Sequence, residues 1–182
     1  MLIPLDEEAV RITARQYKDR NISSIAIAFL HSYSNPDHEV RARELILEEF
    51  PEAQVSLSSE VLAVFREYER TINTVLNAYV MPRVGNYISN QVSSIRSLDI
   101  NSTFSIMKSN GGMIGSGITI RQPVHTALSG PAAGVMATLQ IAKNTAMEDC
   151  VSFDKGGPST DVSLLKDLPP TAHLGGPVGD WP

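Results

Sequence analysis

Residues 22 to 30 read Ile-Ser-Ser-Ile-Ala-Ile-Ala-Phe-Leu, a charge-free run with a helical pattern on either side. A short, isoleucine-rich, uncharged run of this kind predicts a strand buried on both faces, as in a parallel sheet. Upstream, Asp6 is placed to cap a helix that carries Glu7 and Glu8 in its first turn, where the helix dipole favours acids, and that runs to about Arg20. Downstream, Asn35-Pro36 reads as an N-cap followed by proline at the first helical position, with the helix ending near Phe50-Pro51. Gln54 to Leu57 supplies a second short strand. The order α-β-α-β predicts an α/β layer.

The rest of the chain is read the same way. Glu69 to Val80 has helical spacing through Ile72, Val75, Leu76 and Tyr79, and Pro82 is expected to break or kink it before a second helical stretch to about Leu98. Thr103 to Met107 alternates like a strand, and glycines follow at 111, 112, 115 and 117. Val124 to Leu128 is expected to be a short strand. Ser129-Gly130-Pro131-Ala132-Ala133-Gly134-Val135 opens a helix to about Asn144. Cys150 to Phe153 and Val162 to Leu165 read as paired strands around a tight loop, Asp154 to Asp161. Residues 168–182 are rich in proline and glycine and show no apolar period.

Composition narrows the function. With 42% apolar and 19% charged residues over 182 positions, this is a globular chain and not a disordered one. No apolar run approaches the ~20 residues of a membrane helix, so no membrane partner is expected. The first residues lack the basic region and apolar core of a secretory signal. Cys150 is the only cysteine, which excludes an internal disulfide framework and a cysteine-based metal site, and a cytoplasmic location is expected. The net charge is −5. The first 70 residues carry 13 acids against 8 bases and the remainder is balanced, so nucleic acid has no electrostatic footprint here.

Four segments are candidates for chemistry. In Asp154-Lys155-Gly156-Gly157-Pro158-Ser159-Thr160-Asp161, adjacent glycines let backbone N–H groups approach an anion. Ser159 and Thr160 add hydroxyl donors, and Asp154 and Asp161 bracket the loop where Mg²⁺ can be held directly or through water. The same residues also suit a plain hairpin turn, and pattern alone supports both equally. Ser129 to Gly134 is a small-residue helix start open to a backbone or an anion, with close packing the simpler account. Lys108-Ser109-Asn110-Gly111-Gly112 is a loop at a strand end, where α/β folds place ligands, and also an ordinary glycine turn. Arg66-Glu67-Tyr68-Glu69-Arg70 reads as a solvated face with local ion pairs.

The chain lacks G-x-x-x-x-G-K-[ST], a well-placed G-x-G-x-x-G, a G-x-S-x-G elbow and an H-E-x-x-H pair. His31, His38, His125 and His173 are expected to be structural or exposed, and Cys150 to pack as a small apolar residue.

One family fits these segments in order. Leu30-His31-Ser32-Tyr33-Ser34-Asn35-Pro36 is followed by Ser58-Ser59-Glu60-Val61, Glu67-Tyr68-Glu69-Arg70-Thr71, Asn77-Ala78-Tyr79 and Ser109-Asn110-Gly111-Gly112. Then come Leu128 to Val135 and Phe153-Asp154. The series resembles the hydantoinase A and 5-oxoprolinase family, which includes ATP-dependent N-methylhydantoinases and subunits of acetone-type carboxylases. The resemblance covers nearly the whole chain.

It implies a partial actin-like ATPase (ribonuclease H-like) α/β fold, in which two domains hold a nucleotide between two glycine-rich hairpins. It also implies Mg-ATP-dependent hydrolysis of a cyclic amide, with the carbonyl oxygen phosphorylated before water opens the ring. On this resemblance Asp154, Gly156, Gly157, Ser159, Thr160 and Asp161 match the second phosphate hairpin. Asp154 and Asp161 are the catalytic and Mg²⁺-holding residues, and Ser129 and Gly130 join the nucleotide side. The expected organisation is residues 1–68 as the end of a first domain, 69–167 as a crossover helix and the start of a second, and 168–182 as an irregular tail. The implied partners are a cyclic-amide small molecule and a hydantoinase B-type subunit or domain.

Two positions depart from the family pattern Asp-Met-Gly-Gly-Thr-Ser-Thr-Asp. Lys155 replaces methionine. Pro158 replaces threonine, which removes one backbone donor and one hydroxyl. The family's first hairpin, Asp-x-Gly-Gly-Thr, is absent, so the chain reads as an internal fragment, inactive alone, with apolar surface that a longer protein would cover. The alternatives are a non-catalytic module from a homologue with a decayed nucleotide site, or a related actin-like kinase.

Overall fold

The computed structural model describes residues 3–156 and 160–166. The chain divides into two units. Residues 1–104 and 115–124 form unit 1, and residues 105–114 and 125–182 form unit 2.

Unit 1 begins with α1 (Glu7–Asp19), capped as expected by Asp6, whose Oδ1 accepts the Ala9 N–H at 3.0 Å. Next come β1 (Ser24–Ile27), α2 (Asp37–Glu49) and β2 (Gln54–Leu57). The two strands pair parallel, Ser24 opposite Gln54 through Ile27 opposite Leu57. At the start of α2, Asn35 Oδ1 accepts the Asp37 N–H at 2.9 Å, while Pro36 is already in helical conformation before the first assigned residue. The expected cap and proline are both there, one residue earlier than the helix boundary.

The expected strand is shorter than residues 22–30, and it buries one face, not two. Ile25 and Ile27 pack with Ala14, Ala42, Ile46, Phe50, Ala53 and Leu57, whereas Ala26 is exposed. Arg11 and Arg15 on α1 bind Glu49 on α2 at 3.0 and 2.9 Å, and Arg41 binds Glu7 at 2.7 Å, so paired charges fix the helices over the strands.

A single turn of helix, α3 (Ser58–Val61), follows β2, and then the 31-residue α4 (Glu67–Ser97). α4 runs through Pro82 without ending. Proline removes one N–H and crowds one carbonyl, and the packing of α4 on β1 and β2 outweighs that loss. The orientation of α4 inverts what its spacing suggests. Ile72, Val75, Leu76 and Tyr79 are 42 to 77% exposed, and the buried face carries Arg70, Thr74, Asn77, Ala78, Met81, Gly85 and Ile88. Hydrogen bonds make this polar face stable. Thr74 Oγ1 donates to the Arg70 carbonyl at 2.7 Å. Asn77 Nδ2 donates to Ser56 Oγ and to the Arg121 carbonyl, both at 2.9 Å, and Asn77 Oδ1 accepts the Val124 N–H at 3.2 Å.

Unit 2 contains β3 (Ser105–Met107), which pairs with β4 (Met113–Gly115). A helix, α5 (Ser116–Arg121), occupies part of the glycine-rich stretch and packs on α4 within unit 1. The strand expected at Val124 to Leu128 is instead a 3-10 turn, Pro123–Thr126; Pro123 fixes a φ suited to a turn and cannot donate to a ladder. Unit 2 continues with α6 (Ser129–Thr145), β5 (Cys150–Lys155) and β6 (Thr160–Leu165). Its core is Leu139 and Ala142 of α6 with Leu165 of β6.

Candidate functional site

The β5–β6 hairpin is antiparallel, with Asp154 directly opposite Asp161 and Lys155 opposite Thr160. Strand structure therefore extends further into the expected loop than Phe153 and Val162. Because side chains alternate, one face carries Ser152, Asp154, Asp161, Ser163 and Leu165, and the other carries Val151, Phe153, Lys155, Thr160, Val162 and Leu164. Leu165 is buried, so the first face is the one turned to α6. On the second, Val151, Phe153, Val162 and Leu164 are 60 to 71% exposed.

Facing carboxylates repel when directly opposite in a ladder. Asp154 and Asp161 have no ion-pair or hydrogen-bond partner among the described residues. Across from them lies the first half of α6. A Cβ built on Gly134 would stand 3.9 Å from Asp154 Oδ2, so the glycine leaves that space open. Pro131, Gly134, Val135 and Thr138 line one side of a cavity of about 330 Å³, and Ser152, Asp154, Asp161 and Ser163 line the other.

The structure thus brings Asp154 and Asp161 together. Ser129 and Gly130 open α6, ahead of the residues that line this cavity. Gly156 follows β5 directly, and Thr160 lies on the face opposite the aspartates. Gly157, Pro158 and Ser159 lie outside the described residues.

The Ser109-to-Gly112 loop supports the start of α6. Ser109 Oγ donates to the His125 carbonyl at 2.9 Å and accepts the Leu128 N–H at 3.2 Å, immediately before the helix. Asn110 Oδ1 accepts the Gly112 N–H at 3.1 Å. Gly111 has φ +80°, and a Cβ there would meet Met136 of α6 at 3.0 Å. Only glycine suits both the conformation and the contact.

Sequence reading missed a polar cluster in unit 1. The Arg66-to-Arg70 segment is not uniformly solvated. Arg70 is 1% exposed, and its Nη2 donates to the Phe29 carbonyl at 2.7 Å. Its Nη1 donates to the Val64 carbonyl at 3.3 Å, and its guanidinium lies 5.7 Å from the Tyr33 ring centroid. Arg70 Nε is buried with no hydrogen-bond partner among the described residues. Glu39 is fully buried. Its Oε1 accepts the Phe29 N–H at 2.9 Å and the Ser58 hydroxyl at 2.6 Å, and its Oε2 accepts the Ser59 N–H at 2.9 Å and hydroxyl at 2.7 Å. Burial pushes the Glu39 carboxyl up, but the bonds from Ser58, Ser59 and Phe29 outweigh it and hold it below the usual carboxylate range. The available signal was His38-Glu39 directly after a helix start, a carboxylate that strict periodicity would place on an interior face.

Two α/β units, one of them closing on a hairpin whose paired aspartates face a small-residue helix, define the class: an α/β protein with a candidate ligand site between the hairpin and α6 of unit 2. The chain belongs to the hydantoinase/oxoprolinase family. Residues 70–175 match the Hydantoinase/oxoprolinase profile, and residues 1–50 match the Hydantoinase/oxoprolinase N-terminal region.

Among curated relatives, the chain is 32% identical to caprolactamase subunit alpha of Pseudomonas jessenii, over 90% of this chain and 23% of that protein. It is 38% identical to 5-oxoprolinase of Saccharomyces cerevisiae, over 89% of this chain and 12% of that protein. Among solved structures, nucleotide-free acetone carboxylase, described as carboxylating acetone in an ATP-dependent mechanism, superposes with a TM-score of 0.80 at 29% identity. That match covers 91% of this chain and 24% of the solved one. The α/β fold expected from the motifs, as part of a larger one, is the fold of these relatives. The chain spans a quarter or less of the length of each. No helix among the described residues is long and apolar enough to cross a membrane.

Proposed function

We propose that this chain is part of an ATP-dependent enzyme that opens cyclic amides, with the β5–β6 hairpin handling the nucleotide phosphates. The observation that carries the reading is the pair Asp154 and Asp161, opposite one another on the face turned to α6 and with side chains unpartnered among the described residues. Two bare facing carboxylates beside a polyphosphate call for a cation. The residues fit Mg²⁺ in one way. No group of three or more metal-ligating side chains occurs among the described residues, so the ion would take few protein ligands and complete its shell with water and phosphate.

In this reading Asp154 and Asp161 hold Mg²⁺ directly or through water, and Mg²⁺ supplies neutralisation of charge on the transferring phosphoryl group. Gly156, Gly157 and Ser159 contribute backbone and hydroxyl donors to phosphate, and Thr160, whose side chain faces away from the aspartates, contributes only through its backbone. Ser129 and Gly130 offer the free N–H groups of the α6 start. The γ-phosphoryl would pass to the amide oxygen, one water would add to the ring carbon, the C–N bond would break to leave an acyl phosphate with the nitrogen protonated, and a second water would hydrolyse the acyl phosphate to carboxylate and free phosphate. The balance is ATP, lactam and two waters to ADP, phosphate and amino acid. We assign residues 1–68 to the end of one domain and 69–167 to the crossover helix and start of a second; the tail expected at 168–182 lies outside the described residues. A hydantoinase B-type subunit or domain is the proposed partner. The relatives named as subunits support assembly with other chains.

The test uses a protein containing this chain at the relatives' full length, with its partner, and 5-oxoproline, caprolactam and hydantoin as probes. ADP release stimulated by one of these rings, with stoichiometric ring opening, is expected. No stimulation by any cyclic amide overturns the reading. The likeness to acetone carboxylase favours a second reading, carboxylation, which bicarbonate-dependent ADP release with a ketone would reveal.

A further inference from the structure

In unit 1, β1 and β2 run parallel and end together at Ile27 and Leu57. The carboxyl edge of a parallel sheet is where α/β folds receive ligands. The loop that leaves β1 there, residues 28–36, is unusually determined. The Phe29 N–H is bound by the buried Glu39 carboxylate, and the Phe29 carbonyl is bound by the buried Arg70 guanidinium and by Ser32 Oγ at 3.0 Å. Ser32 Oγ also lies 3.0 Å from Ser58 Oγ at the end of β2. Immediately after this clamp, His31 takes φ +59°, a left-handed conformation that a histidine adopts at a cost.

Stability alone does not call for this arrangement. Buried charges recover little beyond their desolvation, and a buried donor with no partner among the described residues, as at Arg70 Nε, is a net cost. What the cluster produces is a fixed display. His31 and Tyr33 stand with ring centroids 6.3 Å apart, Tyr33 lies over the Arg70 guanidinium, and Leu30, Phe65 and Tyr68 are 66 to 76% exposed.

We propose that this carboxyl edge of unit 1 is the surface that receives the cyclic-amide ring, with His31 and Tyr33 as its contact side chains and Glu39 and Arg70 as the buried pair that positions them. The assignment rests on the reading under Proposed function and adds to it which residues of this chain meet the ring. A neutral lactam has a planar amide and an apolar methylene body. The Tyr33 ring face matches the plane, exposed Leu30 matches the methylenes, and the His31 imidazole, tilted 59° to that ring, supplies a hydrogen bond to the amide.

The test is steady-state kinetics of the full-length protein with its partner, on whichever ring the wild type opens. His31→Asn keeps a residue that tolerates the left-handed conformation and removes the imidazole. Tyr33→Leu removes the aromatic face at a partly exposed position. Each is expected to raise KM for the ring at least tenfold and to leave KM for ATP within twofold. Arg70→Met is expected to raise ring KM in the same way and to speed amide exchange in residues 28–36. Unchanged ring KM in both exposed-residue variants, or an equal rise in KM for ATP, overturns the assignment of this edge while leaving ring opening in place. A wild type that opens no ring overturns the broader reading instead.

Discussion

At the scale of single residues, charge placement decides the most. Asp154→Asn or Asp161→Asn in the full-length protein is expected to lower ATP-coupled turnover by on the order of 100-fold, about 2.7 kcal/mol, in a steady-state ADP-release assay. Thr160→Ala, on the opposite face of the hairpin, should cost much less. Glu39 and Glu49 set a pH response. Hydrogen bonds from Arg15 and then Arg11 hold Glu49 down at about 2, against an ordinary value of 4.5, and Glu39 is also held low. Both folded values are depressed, so the stabilisation is complete above about 4.5 and is lost as pH falls toward about 2. Urea midpoints for the chain should therefore be flat above pH 5 and fall steadily below pH 4.5. At this scale the sequence was legible where chemistry is local. Asp6 as a cap and the alternation that sends Lys155 away from Asp154 follow from neighbours in the chain. Burial of Arg70 depends on Phe29, 41 positions away, and no local pattern encodes that partner.

At the scale of elements, spacing located the helices better than it oriented them. α1, α2, β2 and α6 lie close to where caps, proline and apolar runs place them. α4 has its apolar stripe outside because Asn77 finds partners on β2 and near Val124 and Arg70 finds one on the β1 loop, while Thr74 bonds back to the Arg70 carbonyl within the helix, and periodicity cannot register such partners. The same packing carries the helix through Pro82. Pro82→Ala restores the missing donor and is expected to raise the stability of the chain by about 1–3 kcal/mol, read as a higher urea midpoint. Gly111→Ala does the opposite. It forces a Cβ into φ +80° against Met136 and is expected to cost on the order of 1–3 kcal/mol. The paired strands of the hairpin were legible; the residues of its turn, 157–159, lie outside the described residues. The facing of its aspartates toward α6 depends on register and on Leu165, which only the fold supplies.

At the scale of the whole molecule, the exposed side of the hairpin is informative. Val151, Phe153, Val162 and Leu164 form an apolar strip, and the relatives are four or more times longer than this chain. The 182-residue chain is therefore expected to bind a hydrophobic dye more strongly, mole for mole, than a full-length family member; equal binding would mean the strip stays open in the longer protein. The peptide unit of Phe29 carries a different kind of consequence. It is held at one end by an anion and at the other by a cation, so exchanging Glu39 or Arg70 alone leaves one end of that peptide without its bond while the other charge keeps its own partners. One backbone unit thus ties position 39 to position 70, and a graft or recombination that divides the chain between them has to join halves that both still fit the peptide of Phe29.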